Sequence, residues 1–288
     1  MTIAVSAVSG QLGAQIARAL LKQASGRPVI GLARSPDKVQ LSDIAVRPGE
    51  YTDRAALAAS LAGVDTFVMV SLNTPPEVRT DQHRIALAAA KDAGVQRIVY
   101  TSVQGANEGT AFSPVIQSNR QTEADLEVGG FDWTVGRNGI YIEPDIDYIE
   151  SYKAAGEIAN SAGDGACGYT TRDELAAAYA SIALDNRHNG EVYNLHGPLL
   201  TQADLATHLN KAFGTTLRYR QMSVEDYRAD RREALGDMMG TIIAGIYEGI
   251  RYGVFDIPSN FETAAGRPHQ SWEDYFINFL SPDAEASS

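Results

Sequence analysis

Cysteine, long apolar runs and positive charge are all scarce in this chain of 288 residues. Cys167 is the only cysteine, which excludes an internal disulfide and is typical of a reducing compartment. No apolar run approaches the roughly 20 residues that a bilayer-spanning helix needs. Acidic residues outnumber basic ones by 36 to 24, and the net charge of −12 argues against nucleic acid and anionic membranes as partners. We therefore expect a cytoplasmic protein.

Metal and hydrolase motifs are also missing. The histidines are scattered and do not form the close pairs of a zinc motif; they are His83, His188, His196, His208 and His269. Ser102 has no catalytic histidine signalled nearby, so a hydrolase triad has little support. We predict no metal site.

Short apolar strands alternate with helical segments through the first half of the chain. Strands are predicted at 2–6, 29–33, 66–70, 97–102 and 133–136, and helices near 57–61, 81–93 and 122–128. Near-continuous apolar strands separated by helices are typical of a parallel sheet covered on both faces. We predict an α/β, Rossmann-like doubly wound parallel sheet, with residues 1–150 as the dinucleotide-binding core.

The second half predicts a smaller α-rich C-terminal lobe at residues 151–281, interleaved with the core and closing a substrate cleft. Strands near 155–160 and 191–196 are expected to return to the main sheet. Thr171 and Glu174 have the spacing of a helix capping box. Helices are expected at 223–235, 238–250 and 271–280, and residues 282–288 are predicted to be a disordered tail.

The first strand leads directly into a partial dinucleotide fingerprint. In Ala7-Val8-Ser9-Gly10-Gln11-Leu12-Gly13, glycine occupies two of the three positions of Gly-x-x-Gly-x-x-Gly and alanine occupies the first. Such a turn directs free backbone N–H groups and the helix dipole at a pyrophosphate. We predict cofactor contacts from Ala7, Ser9, Gly10, Gln11 and Leu12. A Cβ at position 7 is tolerated there only if φ stays negative.

Several segments, taken in order, resemble the NmrA-like atypical short-chain dehydrogenases/reductases. They are the fingerprint, Gly31–Lys38, Ala89–Val95, Tyr100–Ser102, Thr122-Glu123, Arg137–Tyr141, Ala162–Gly165, Thr171–Asp173 and Val192–Leu195. The resemblance covers most of the chain and weakens after about Gln221. Within the family, the chain looks most like type 2 NAD(P)H:quinone oxidoreductases and triphenylmethane reductase. The resemblance implies a Rossmann core that binds NADP(H) and an aromatic-lined cleft between core and lobe.

Further cofactor contacts are predicted where other strands end. Arg34 follows the second strand, where an acidic residue would hydrogen-bond the ribose of NAD. An arginine there is suited to hold the 2′-phosphate of NADP(H), with help from Lys38. Ser71 and Ser102 also follow strands, and Ser102 is a candidate contact for the nicotinamide ribose. A solvated arginine and ordinary strand-end hydroxyls are the alternatives.

Substrate positioning is assigned to Asn138 and Tyr141, which follow the sixth strand. Asn138 is suited to hydrogen-bond a substrate carbonyl and Tyr141 to stack on a flat ring. Tyr148, Tyr152 and Tyr169 add aromatic surface nearby. An apolar helix follows later in the chain, for which interior packing or a dimer interface is favoured over a place in the cleft wall; it carries Met238, Met239, Ile242, Ile243 and Ile246.

No side-chain general acid is evident. The Tyr-x-x-x-Lys pair of typical short-chain dehydrogenases is absent, because Tyr152 and Lys153 are adjacent. Asn119 occupies a position where the look-alikes commonly carry histidine or lysine, and an amide is no acid near neutral pH. Quinone reduction tolerates this lack, since water can supply the proton.

The leading hypothesis is a cytoplasmic NADPH-dependent reductase of quinones or similar flat, conjugated small molecules. One alternative is an NmrA-like dinucleotide-sensing regulator. Another is a non-redox enzyme, such as a cyclase, isomerase or lyase, with weak or lost cofactor binding; Ala7 and Asn119 motivate it. A homodimer is a further possibility, and fold-level analogy does not decide among these functions.

Overall fold

The computed structural model describes residues 1–24, 26–41 and 43–280, and the tail predicted at 282–288 lies outside them. The strands are β1 Ile3–Val5, β2 Val29–Ala33, β3 Ala45–Pro48, β4 Thr66–Val70, β5 Arg97–Val103, β6 Asp132–Asn138, β7 Ile140–Tyr141, β8 Glu157–Asn160, β9 Tyr169–Thr170, β10 Glu191–Leu195 and β11 Arg218–Gln221. The helices are α1 Gln11–Gln23, α2 Arg54–Ser60, α3 Pro76–Asp92, α4 Ser113–Glu127, α5 Glu143–Asp147, α6 Ile149–Ala155, α7 Arg172–Leu184, α8 Gln202–Phe213, α9 Val224–Leu235, α10 Asp237–Arg251, α11 Phe261–Ala265 and α12 Trp272–Ile277, with 3-10 turns at Pro36–Lys38, Asn186–His188 and Asn278–Leu280.

Seven strands form one parallel sheet in the order β10-β6-β5-β4-β1-β2-β3. Read from the β3 edge, the order β3-β2-β1-β4-β5-β6 is that of a doubly wound dinucleotide-binding fold. The predicted fold class is therefore confirmed. Strands β1, β2 and β4 are buried along their whole length, as expected for strands covered on both faces. Strand β3 was not predicted from the sequence, because it is short and none of its residues is buried at this edge of the sheet.

Helices cover both faces of this sheet. Residues of β1 alternate between two hydrophobic cores, with Ile3 in one and Ala4 in the other. The first core includes Ile16 of α1 and Tyr179 of α7, so a helix from the second half of the chain packs on the dinucleotide-binding core. The second core includes Leu87 of α3.

The C-terminal lobe has its own hydrophobic core and two small parallel sheets, β8 with β11 and β7 with β9. The prediction that the strand near 155–160 returns to the main sheet is wrong. Strand β8 is buried only at alternate residues, which suits a small sheet covered on one face rather than a central strand. Strand β10 does lie in the main sheet, at its edge beside β6.

Two helices begin earlier than predicted, α3 at Pro76 and α4 at Ser113. Each has a proline in its first turn, a position where proline is favourable because no helical N–H is lost. The capping box predicted for α7 is only half formed. Thr171 Oγ1 accepts from the backbone N–H of Glu174 at 3.1 Å, but the Glu174 carboxylate instead pairs with Arg267 at 2.7 Å.

Candidate functional site

A cleft of about 1390 Å³ lies at the carboxyl edge of the main sheet, between that sheet and the lobe. One wall comes from the turn after β1 and from residues at the ends of β2, β4, β5 and β6. The other wall comes from α5, α6, α9 and α10 of the lobe. This edge is where parallel α/β sheets bind their ligands.

The turn after β1 leaves the N-terminus of α1 open. Ala7, Ser9, Gly10 and Leu12 line the cleft. No side chain caps α1 and its first turn carries no acidic residue, so its first amide groups and the positive end of its dipole are available to an anion. A Cβ on Gly13 would lie 2.4 Å from the Ala7 carbonyl oxygen, so this close approach of α1 to β1 requires glycine. The turn therefore fits a pyrophosphate.

Ala7 adopts a positive φ of 53°, and in the described part of the chain every other residue with a positive φ is glycine. The condition that a Cβ is tolerated here only at a negative φ is therefore wrong, because this alanine is accommodated at a positive φ. Left-handed backbone costs a residue with a Cβ roughly 1–2 kcal/mol. The turn adopts this conformation nevertheless. Within it, the Gly10 N–H donates a hydrogen bond to the Ala7 carbonyl at 2.9 Å. The backbone path of the fingerprint is thus kept without its first glycine.

Arg34 lies just past β2 and lines the cleft with an exposed side chain. Across the described residues, its guanidinium has no hydrogen-bond or ion-pair partner, which leaves it free for a phosphate. The side chains of Lys38 and Gln11 are exposed and do not line the cleft. The structure therefore groups Arg34 with the turn, but not Lys38 or the side chain of Gln11.

Ser71 and Ser102 line the cleft, but their hydroxyls bond inward. The Ser102 hydroxyl donates to Glu123 Oε1 at 2.5 Å and accepts from Arg120 at 3.2 Å. Glu123 is also held by Arg137 at 2.6 Å. These contacts form a largely buried ion-pair network behind the cleft. The ribose contact of Ser102 stays a prediction that would have to compete with this network.

Asn119 lines the cleft with an amide that is held by neutral partners. Its Oδ1 accepts from Tyr100 Oη at 2.6 Å and from Ser71 Oγ at 3.0 Å, while its Nδ2 donates to the Val115 carbonyl at 2.8 Å. Nearby, burial lowers the pKa of His83 to about 3, so this imidazole is neutral at physiological pH. Neither group is a proton source near neutral pH.

Asn138, the last residue of β6, meets Tyr141 of β7. Asn138 Nδ2 donates to Tyr141 Oη at 3.2 Å, and Tyr179 Oη donates to Asn138 Oδ1 at 2.5 Å. The Arg172 guanidinium lies 5.0 Å from the Tyr141 ring centre. Burial raises the pKa of Tyr141, so the phenol keeps its proton at neutral pH. This phenol is a hydrogen-bond donor at the cleft, with its oxygen fixed by Asn138.

Asp145, in α5, is a cleft residue that the sequence analysis missed. It is only 3% exposed, and its Oδ1 accepts from Tyr152 Oη at 2.9 Å. Burial raises the pKa of this carboxyl to about 6, although hydrogen bonds from Tyr152 and Tyr247 act in the opposite direction. An aspartate in the first turn of a helix is ordinarily solvated. Its burial comes partly from α10, far away in the chain, so the local sequence carries no signal for it.

An aromatic wall surrounds Asp145 and consists of Tyr148, Tyr152, Tyr227 and Tyr247. The ring centres of Tyr148 and Tyr152 are 6.3 Å apart, and those of Tyr227 and Tyr247 are 5.2 Å apart in an edge-to-face arrangement. Tyr169, which was predicted to join this surface, is instead buried in the lobe and does not line the cleft. The aromatic wall offers flat apolar surface to a ring-shaped ligand.

Helix α10 turns one apolar face to the cleft. Met239, Ile243 and Ile246 line it. Ile242 and Ile246 pack against the lobe core, and Met238 is 56% exposed. Interior packing or a dimer interface was favoured for this helix, but Met239 and Ile243 lie in the cleft wall instead, and Ile246 lies in the cleft wall while also packing against the lobe core.

Within residues 1–24, 26–41 and 43–280, no cluster of histidine, cysteine, aspartate and glutamate is arranged to hold a metal ion. None of the helices described there is long and apolar enough to cross a bilayer. Cys167 is buried in the lobe, and burial raises the pKa of its thiol well above the usual value, which suits a packing residue rather than a nucleophile.

Comparison with known proteins also indicates a dinucleotide-binding protein, as the turn after β1 does. The sequence pattern of the NAD(P)H-binding family matches residues 8–186. Quinone oxidoreductase 2 of Escherichia coli (strain K12) is 33% identical over an alignment 278 positions long, which covers 92% of this chain and 94% of that protein. This chain belongs to the NAD(P)H-binding family.

Solved structures support the assignment of this chain to the NAD(P)H-binding family. The NADPH-dependent quinone oxidoreductase of Escherichia coli complexed with NADPH matches with a TM-score of 0.86 at 29% identity, covering 97% of this chain and 100% of that one. Triphenylmethane reductase of Citrobacter sp. complexed with NADP(H) matches with a TM-score of 0.87 at 27% identity and the same coverage. The predicted resemblance, the NAD(P)H cofactor and the oxidoreductase class are confirmed.

Ala7→Gly is expected to stabilise the protein by about 0.5–1 kcal/mol, because relief of the left-handed alanine outweighs the entropy that glycine adds to the unfolded chain. Urea unfolding measures the change. The matched control is Ala59→Gly on the exposed surface of α2, which should destabilise by about 0.5–1 kcal/mol because its backbone is helical. Equal losses in both variants would contradict the strain at position 7.

Asp145→Asn is expected to flatten the dependence of stability on pH. The folded carboxyl titrates at about 6 rather than 3.8, so the folded state holds the proton more tightly and wild-type stability falls as pH rises through this range. Between pH 4.5 and 7.5 the variant should gain about 2 kcal/mol relative to wild type in urea unfolding. Asp147→Asn, at an exposed position of α5, is the control and should show no gain. A constant difference between Asp145→Asn and wild type would contradict the raised pKa.

Proposed function

We propose that this oxidoreductase uses NADPH to reduce quinones or similar flat, conjugated acceptors by hydride transfer. The observation that carries the proposal is one continuous cleft, lined by the open turn and Arg34 in the core and by the aromatic wall in the lobe. Relatives named as a quinone oxidoreductase and an azoreductase support an acceptor of this kind.

The cofactor half of the cleft would bind NADPH mainly through backbone and charge. The first amides of α1 would hold the pyrophosphate, with Gly10 allowing close approach. Arg34 would pair with the 2′-phosphate, which favours NADPH over NADH. When bound, NADPH supplies the hydride from its nicotinamide ring.

The substrate half would hold the acceptor by shape and by one directed hydrogen bond. The Tyr141 phenol, fixed by Asn138, would donate to a carbonyl oxygen of the acceptor. The aromatic wall and the apolar face of α10 would hold the flat ring and exclude water. Proximity and orientation then provide most of the rate enhancement.

The direct test is NADPH binding followed by NADPH oxidation with a panel of quinones and aromatic dyes. We expect saturable binding and oxidation that depends on the acceptor. Absence of binding at millimolar NADPH would contradict the proposal. Tight binding without oxidation by any acceptor would instead support the dinucleotide-sensing alternative.

Arg34→Ala should weaken NADPH binding by about 10- to 100-fold, because a charge-assisted pair contributes roughly 1.5–3 kcal/mol. Binding of NADH, which lacks the 2′-phosphate, should change little. Lys38→Ala removes a neighbouring positive charge outside the cleft and is the matched control, with an expected change of less than about threefold. Titration calorimetry with both nucleotides measures all three proteins. Equal losses for NADPH and NADH in Arg34→Ala would contradict the assigned role.

A further inference from the structure

Reduction of a quinone by hydride leaves a proton unaccounted for. The acceptor gains two electrons and one hydrogen with the hydride, and its oxygen must take up one proton to give the neutral hydroquinone. The groups so far assigned to the cleft do not supply it. Asn119 is an amide, His83 is neutral, and burial holds the proton on the Tyr141 phenol. Four carboxyl groups line the cleft, Glu50, Asp145, Glu157 and Asp230. Glu157 pairs with Arg220 and Asp230 with Arg231, and Asp145 is the one of the four that is buried.

The surroundings of Asp145 are aromatic and uncharged. It lines the cleft and is nearly inaccessible to water. Tyr152 of α6 donates a hydrogen bond to it, and the Tyr247 phenol of α10 also lowers its pKa. Tyr227 of α9, Tyr169 of β9 and Cys167 interact electrostatically with its carboxyl, and burial raises the pKa of each of these groups as well.

The charged groups nearest to this pocket have other partners. Glu143 on the same helix pairs with Arg172 at 3.5 Å. Arg231 of α9 pairs with Asp230 at 2.5 Å, and its guanidinium also lies 5.5 Å from the Tyr227 ring centre. Within the described residues, Asp145 itself has no ion-pair partner. A buried carboxyl without a cation favours its protonated form, and the phenols that face it can stabilise the carboxylate once the proton has left.

We propose that Asp145 is the general acid of the reaction and donates its proton to the acceptor oxygen as the hydride is transferred. This inference rests on the proposed function. The carboxyl O–H bond breaks and an O–H bond of the hydroquinone forms, while NADPH is oxidised to NADP⁺. Quinone, hydride and proton together give the hydroquinone, so atoms and charge balance. The Asp145 carboxylate then accepts hydrogen bonds from Tyr152 and Tyr247 and recovers a proton from solvent through the cleft.

The test is the pH profile of kcat for quinone reduction at saturating NADPH and quinone. The wild-type kcat should fall as pH rises through about 6 to a plateau at which water supplies the proton, because only the protonated carboxyl donates. In Asp145→Asn, kcat should lie at that plateau throughout, at least tenfold below wild type at pH 5, with unchanged NADPH affinity. Asp147→Asn is the control and should keep the wild-type profile.

Tyr152→Phe provides a second readout and does not remove the carboxyl. It deletes one hydrogen bond to the carboxylate, which raises the pKa of Asp145 further, so the fall in kcat should move to higher pH. A purely structural role for Tyr152 predicts no such shift. If Asp145→Asn does not fold, this shift decides the question.

The outcomes separate this inference from the proposed function. Quinone reduction by Asp145→Asn with a wild-type kcat and pH profile would overturn the general acid and leave the proposed function intact. An unshifted profile in Tyr152→Phe would also count against it. Failure of the wild-type protein to oxidise NADPH with any quinone would overturn the proposed function and this inference together.

Discussion

The close approach of α1 to β1 is the constraint on which the site depends. Only the missing side chain of Gly13 allows the helix to come so near the Ala7 carbonyl, and this contact directs the N-terminus of α1 along the carboxyl edge of the sheet. Because the strands are parallel, Arg34, Ser71, Ser102 and Asn138 are brought to the same edge. The left-handed backbone of Ala7 belongs to the same tight turn.

The two halves of the cleft work by opposite physical means. The proposed cofactor half offers an uncapped helix N-terminus and the Arg34 guanidinium, which has no partner among the described residues, and both complement phosphate groups. The proposed substrate half is lined largely by aromatic and aliphatic side chains, and the aromatic wall and α10 shield Asp145 from water. Low exposure to water is what raises the pKa of that carboxyl into a useful range, and the same surfaces would hold a flat acceptor.

The features that were predicted from the sequence are those encoded by local residue patterns. Apolar runs predicted the central strands, and the fingerprint and Arg34 predicted which residues line the sheet end of the cleft, because each of these signals lies within a few residues. The burial of Asp145 could not be read in this way, since it depends on packing between α5 and the distant α10. Tyr169 was misplaced for a related reason, because the sequence shows a tyrosine but not which side of the lobe it faces. At Ala7 the energetic argument about a Cβ was sound, but tertiary packing outweighed it.

The central claim is that hydride passes directly from NADPH to an acceptor bound beside it in this cleft. The most direct measurement is single-turnover oxidation of NADPH by a quinone, with deuterium placed at C4 of the nicotinamide on one face or the other. The account predicts that deuterium on one face slows the reaction and that deuterium on the opposite face has little effect, because the cleft fixes the two rings relative to each other. Oxidation that is insensitive to deuterium on both faces, or no oxidation at all, would contradict it.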